Sequence, residues 1–300
     1  MNPRAKISLV AGASKCGSVT HAWTTPYVYL STMVARLHIR GQYYFSIKIR
    51  WCLTSVAARV GYNGFTNTRM QHESHIPTHV GFILDGHRRW AKEQGLPILE
   101  GHRQGYKNFK EIGLKTLESG VKYVTAYVWS RENWQRSTEE VAFIMKLLEW
   151  VAKHELDDIH TRGVRIRIAG NDDRLSEKIL KLIRKAEDHT KNNTNGTLVL
   201  CLNYGGHEEI VDATKRIVRS GMNPEEITEE TISQNIYVPD VPPVDLIIRS
   251  SGEKRLSGFM LWRAAYAELY FIDKKWPDFD ETDLSAALED YANRQRRFGA

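Results

Sequence analysis

The first sixty-nine residues contain no aspartate and no glutamate, yet they hold nine basic residues: Arg4, Lys6, Lys15, Arg36, Arg40, Lys48, Arg50, Arg59 and Arg69. Residues 70–300 are left with 33 Lys and Arg against 36 Asp and Glu, a balance of −3. The net charge of +6 and the pI near 9.1 therefore come from the leader. Nucleic-acid binding loses its main support, because the remainder is slightly acidic. Cysteine is scarce. Cys16, Cys52 and Cys201 are odd in number and form no C-x-x-C pair, which excludes a disulfide framework and a cysteine zinc site and suits a reducing compartment. No apolar run reaches the roughly 18 residues of a membrane span, so membrane contact is expected to be peripheral. There is no G-x-x-x-x-G-K-[ST] loop and no G-x-G-x-x-G, so a nucleotide is not the obvious phosphate source. Internal repeats and low-complexity segments are absent too.

What is there is enough for a sizeable core. A chain of 300 residues with 42% hydrophobic residues can fill one or two domains. The leader, residues 1–69, shows no sustained helical or strand periodicity. Its composition suits a transit peptide, translated sequence upstream of a true start at Met70, or an appendage. It is expected to be a disordered or spurious basic leader, with the catalytic domain in residues 70–300. The location expected is cytoplasmic, or an organelle if the leader is a transit peptide.

From Thr78 onward, β-rich runs at 79–85, 123–130, 164–170, 197–204, 245–251 and 268–273 alternate with helical patterns. This predicts an α/β single domain with a mostly parallel, about six-stranded sheet flanked by helices. Ligands in such sheets gather where strands end, and the polar signals Asp85, Ser130, Asn203 and Arg249-Ser250-Ser251 fall there.

The centre of the chain is HVGFILDGHRRW, His79–Trp90, which reads as strand, tight turn and helix start. Unpaired amides of a first helical turn and two arginines, Arg88 and Arg89, make that corner suit an anion. Asp85 there either caps the helix or holds a cation that bridges it to a phosphate. The segment Glu139–Lys153 is apolar over most of its circumference, as a core helix or as the wall of a long apolar channel. Further polar clusters follow at Ser130–Arg136, at Arg249–Ser257 and at Glu268, and His102 and Arg103 stand in EGHRQG. Each has a bland reading alone. Together they supply arginine forks for two polyanions, with Asp85 and Glu268 as the acids placed to bring in a hard cation. Diphosphate sites beside an apolar substrate channel point to prenyl diphosphates.

At this point the chain resembles the cis-prenyltransferase family, from about Pro77 to Ala300. The resemblance rests on HVGFILDGHRRWAKEQG, EGHRQG, VTAYVWSRENWQRSTEEV, NYGGHEEIV, DLIIRSSGEKRLSGFMLWRAAYAELYF, WPDF and ANRQRRFG. The Asp-rich D-D-x-x-D box of trans-acting enzymes is missing, since Asp157-Asp158 and Asp172-Asp173 lack the later aspartate. The resemblance implies sequential cis-condensation of isopentenyl diphosphate onto an allylic diphosphate such as farnesyl diphosphate, with Mg2+ as cofactor. It implies Asp85 and Asn133 as catalytic residues and Asp85 with Glu268 as metal ligands. Gly86, His87, Arg88, Arg89, Trp90 and His102 would surround the allylic diphosphate, and Ser130, Trp134, Arg136 and Glu140 would frame the reacting ends. Arg249, Arg255 and Ser257 would hold the second diphosphate. Arg297, in the R-x-G ending, would complete a neighbour's site in a homodimer. Two positions depart from the family pattern: His87 replaces an asparagine, and Ile98 stands where many members have arginine. The alternative implied is a non-catalytic partner subunit of the same fold, although such subunits usually lack the aspartate and arginines present here.

Overall fold

The computed structural model describes residues 7–11, 30–39, 42–52 and 76–294. The chain divides into two units, Met1–Met70 and Gln71–Ala300. In the first, β1 (Ile7–Ala11), β2 (Leu30–Ile39) and β3 (Gln42–Cys52) form an antiparallel sheet in that order.

The second unit begins with β4 (His79–Ile83), α1 (His87–Glu93), α2 (Ile98–Glu118) and β5 (Tyr123–Ser130). Next come α3 (Thr138–His154), α4 (Leu156–Thr161), β6 (Val164–Ala169), α5 (Glu177–Thr190) and β7 (Gly196–Tyr204). The remainder is α6 (Gly206–Arg219), α7 (Glu229–Asn235), β8 (Leu246–Arg249), β9 (Glu268–Phe271) and α8 (Glu281–Asn293). The six strands β4 to β9 make one all-parallel sheet in the order β6-β7-β5-β4-β8-β9.

Continuous apolar runs behave here as parallel strands covered on both faces should. Every residue of β4 and of β8 is buried. Side chains alternate along β4: Val80 and Phe82 join the core with Phe109, Ile112 and Leu117 of α2 and Leu284 of α8, whereas Ile83 joins Val199, Ile247, Phe259 and Met260 on the other side. A third cluster packs Trp129 and Leu202 under Ile144 of α3 and Ile179 of α5.

Two features of the sheet position the site. The chain leaves β4 towards β5 on one side and leaves β8 towards β9 on the other, so the crevice between the carboxyl ends of β4 and β8 is a topological switch point. Secondly, β5 and β7 slip past each other: Tyr127 pairs with Cys201 and Trp129 with Leu202, then Ser130 with Tyr204. Val128 and Asn203 are the extra residues, Asn203 at a φ of 51°. Such bulges re-aim side chains, and both Val128 and Trp129 line the same cavity.

Candidate active site

At the switch point β4 ends in Asp85-Gly86. Gly86 caps α1 at a φ of 105°, a left-handed conformation that favours glycine, and a methyl group there would lie 2.6 Å from Ser251 Oγ. Asp85 is therefore not the helix cap. Its carboxylate accepts hydrogen bonds from Arg249 Nη2 at 3.0 Å and Arg89 Nη2 at 3.1 Å. Burial pulls the Asp85 pKa upward, but the hydrogen bond and charge of Arg249, with those of Arg89, outweigh it and hold the carboxyl below its ordinary value. Ser250 Oγ staples the corner, accepting from Asp85 N at 3.0 Å and donating to Asp85 O at 2.9 Å.

The loop after β8 is shaped for close approach. Ser251, Gly252, Ser257, Gly258 and Met260 all have positive φ. Arg249 is buried and donates to Ser257 Oγ at 2.8 Å. Arg249 Nε and Ser251 Oγ are buried without a protein partner, the kind of donor that an anion would satisfy. Glu253 ties Arg89 (3.2 Å) to Arg255 (2.5 Å) across the corner.

Beside this corner the buried carboxylate of Glu140 accepts from His102 Nε2 at 2.9 Å and Arg136 Nη1 at 2.7 Å, with Arg88 Nε at 4.0 Å. Burial lowers the His102 pKa, and burial drives His87 down to about 3, so both imidazoles are neutral at pH 7. Their rings stack at 5.2 Å. From this polar mouth an apolar cavity of about 190 Å³ runs along α2 under α3, lined by residues such as Phe109, Leu114, Ile144, Leu148 and Leu200. The helix 138–154 is therefore a channel wall, and Ile144 packs in the core as well. A second apolar cavity of about 90 Å³ shares Val128, Leu148, Val151, Ile159 and Leu200 with the first.

The prenyltransferase family model of undecaprenyl diphosphate synthases matches residues 83–299. The chain belongs to that family. A trans,polycis-polyprenyl diphosphate synthase of Thermobifida fusca is 46% identical over 228 residues, 75% of this chain and 81% of the relative. An isoprenyl transferase of Thermotoga maritima is 46% identical over 226 residues, 75% of this chain and 97% of the relative. Among solved structures, lavandulyl diphosphate synthase from Lavandula x intermedia, in complex with dimethylallyl diphosphate, aligns with a TM-score of 0.72 at 36% identity. It covers 75% of this chain and 99% of that one. A member of this family is a transferase of prenyl groups, and the switch-point corner with its apolar channel is the part of the fold suited to that work.

The structure brings most of the expected site residues of this prenyltransferase together. Asp85, Arg89, Arg249, Arg255 and Ser257 form one linked cluster, and His87, His102, Asn133 and Arg136 line the channel mouth. Asn133 Oδ1 accepts from Ser130 N at 3.1 Å, and Trp134 donates to Asn203 Oδ1 at 2.7 Å, so the 130–135 turn is held from within and from β7. Arg88 is exposed and reaches only Glu140. Trp90 points to Asp278 Oδ1, at 2.7 Å, and does not line the channel.

Glu268 is not brought to Asp85 within one chain. It opens β9 in register with Leu246 and hence with Val80, while Asp85 lies five residues further along, about 16 Å at 3.3 Å per residue. Its carboxylate takes Arg294 Nη1 at 2.6 Å instead. Arg297 lies outside the described residues. Among the described residues no three acids, histidines or cysteines cluster as a ready-made metal cage. An ionised Asp85 beside donors for a diphosphate nevertheless fits Mg2+, which is usually held by one or two carboxylates together with substrate phosphates and water. Absent from the sequence reading were the α2 residues Gly105, Tyr106, Phe109, Gly113 and Leu117, which line the cavity. The recurrence of Gly105, Phe109, Gly113 and Leu117 at i, i+4, i+8 and i+12 was the available signal.

Proposed function

We propose that residues 70–300 condense isopentenyl diphosphate sequentially onto an allylic diphosphate such as farnesyl diphosphate, with cis geometry, to give a polyprenyl diphosphate. One observation carries the reading: the Asp85–Arg249 corner adjoins an apolar channel, so a diphosphate head and a growing hydrocarbon tail are accommodated side by side. In this reading the allylic diphosphate faces Asp85, Gly86, Arg89 and His102, and the second diphosphate faces Arg249, Arg255 and Ser257. Asp85 would hold Mg2+, which when bound would supply charge neutralisation of the departing diphosphate. Arginines add to this by fixed, preorganised charge. The allylic C–O bond breaks, the alkene of isopentenyl diphosphate attacks the resulting cation, and a proton is then lost from the new chain. Apolar walls keep water from the cation.

Glu268 and Arg297 act, in this reading, in a homodimer, where a second copy brings its own chain ends to the site. Peripheral membrane contact is part of the proposal because the product is a lipid, and we place the enzyme in the cytoplasm. Among the described residues no helix is long and apolar enough to cross a membrane. Chromatography of products from labelled isopentenyl diphosphate and each candidate starter, with the purified chain alone, tests the condensation. Magnesium-dependent polyprenyl products are expected. No turnover without a second gene product would favour a partner subunit instead.

A further inference from the structure

The channel mouth is polar, as its two diphosphates require, and the walls beyond it are mostly apolar, with the tyrosines Tyr106 and Tyr127 and one charged residue. Lys110, on α2, is the single charged side chain among the described lining residues away from the mouth. It lies eight residues beyond His102, about 12 Å further along the helix at 1.5 Å per residue. Its ammonium does not float in the cavity. Nζ is bonded to Glu155 and stands 3.0 Å from Asp158 Oδ2. Glu155 is both the last cap of α3 and the first cap of α4, so the ion group fastens α2 to the joint between the two following helices.

The seam between α2 and α3 has other cross-links nearer the mouth, the His102–Glu140 bond at 2.9 Å among them. Arg103 lies over the Phe143 ring at 5.9 Å, and Tyr106 meets Trp150 edge-on at 6.2 Å. Of the four residues in these two contacts only Tyr106 lines the channel. The Lys110 cross-link brings charge to the lining, and it retains access to water: the side chains of Lys110, Glu155 and Asp158 are 33%, 15% and 38% exposed. A hydrocarbon tail that reached this level would have to strip water from an ion group without replacing its hydrogen bonds, which is unfavourable.

Resting on the polyprenyl reading above, we propose that the Lys110–Glu155–Asp158 group is a determinant of product length: it closes the flank of the channel between α2 and the α3–α4 joint, so a growing tail is confined to the remaining space lined by Gly113, Leu114, Leu117 and Ile159, and that confinement limits elongation. The two isoprene units of geranyl diphosphate fall short of a level about 12 Å from His102, and the first additions carry the tail to it. The position faces the tail and not the diphosphates, which separates it from the residues of the channel mouth.

The test is the distribution of chain lengths made from geranyl diphosphate and labelled isopentenyl diphosphate, read after dephosphorylation. A distribution is a ratio of elongation to release and does not depend on total turnover. Lys110→Met, which keeps length but removes charge, should lengthen the mean product by one or more isoprene units, and Glu155→Gln should do the same. Lys110→Arg keeps the ion pair and should keep the parent distribution. Lys115→Met, on the same helix but paired with Glu281 and Glu111 outside the channel lining, should also leave it unchanged. Thermal unfolding near the parent midpoint confirms that each variant is folded. An unshifted distribution in both Lys110→Met and Glu155→Gln overturns the proposal, as does an equal shift in Lys115→Met. A parent enzyme that makes no polyprenyl product would instead overturn the functional reading beneath it.

Discussion

Gly105 and His87 are packed so closely that a methyl group on Gly105 would lie 2.1 Å from both Cδ2 and Nε2 of the imidazole. The ring is thereby held between the backbone of α2 and the stacked ring of His102. Helix propensity alone would make Gly105→Ala stabilising by about 1 kcal/mol. Because the imidazole must swing aside, that gain should vanish and kcat/KM should fall about tenfold or more. Equilibrium unfolding and steady-state kinetics check both halves. A more stable variant with parent activity would show that the position of His87 is unimportant.

Asp85→Ala removes the carboxylate that Arg249 and Arg89 hold ionised. Loss of several kcal/mol of charge stabilisation should lower turnover on the order of a hundredfold or more, with the fold retained. Excess chelator should abolish activity in the parent. Near-normal rates under either condition would remove Asp85 and the metal from the mechanism.

His79 gives the protein an acid-sensitive core. The imidazole is fully buried, Nδ1–H donates to Pro242 O at 2.9 Å, and Nε2 accepts from Thr125 Oγ1 at 2.6 Å. Burial lowers its pKa to about 4 from an ordinary 6.5. Between those values the unfolded chain binds the proton and the folded chain does not, so stability is whole above pH 6.5 and declines as pH falls towards 4. The decline reaches up to about 3 kcal/mol for a shift of this size. Urea unfolding at pH 7.5, 6 and 5 should show the fall, and His79→Gln should flatten it.

Mixing inactive Asp85→Ala chains with inactive Arg297→Ala chains should restore part of the activity, because a mixed dimer can form one intact site. Lack of rescue, with subunit exchange demonstrated by tagged chains, would rule out a trans role for Arg297.

A chain begun at Met70 should fold, dimerise and turn over like the full-length protein. It retains β4, Asp85 and every phosphate ligand named above, and the contact boundary between units falls at Met70–Gln71. Loss of most turnover on truncation would make the leader part of the working enzyme.

Much of this was legible in the residues themselves. Six runs of β-formers separated by helical patterns determined a parallel α/β sheet, since such runs have nowhere to lie but between two helical layers. The arginines and Asp85 were readable because phosphate chemistry needs planar cationic forks and few side chains supply them. What Asp85 does was decided only by the fold. Local spacing favoured a cap, but Arg249, distant in sequence, reaches it across the switch point, and its charge outcompetes the amides of α1. The separation of Glu268 from Asp85 likewise follows from strand register, which depends on pairing across the sheet and leaves no trace in a motif. The channel had a signal, the apolar circumference of α3, yet a core helix has the same signal. The sheet bulge at Val128 and the α2 glycines Gly105 and Gly113 all fall in the lining of the cavity, and that juxtaposition of distant elements exists only in the fold.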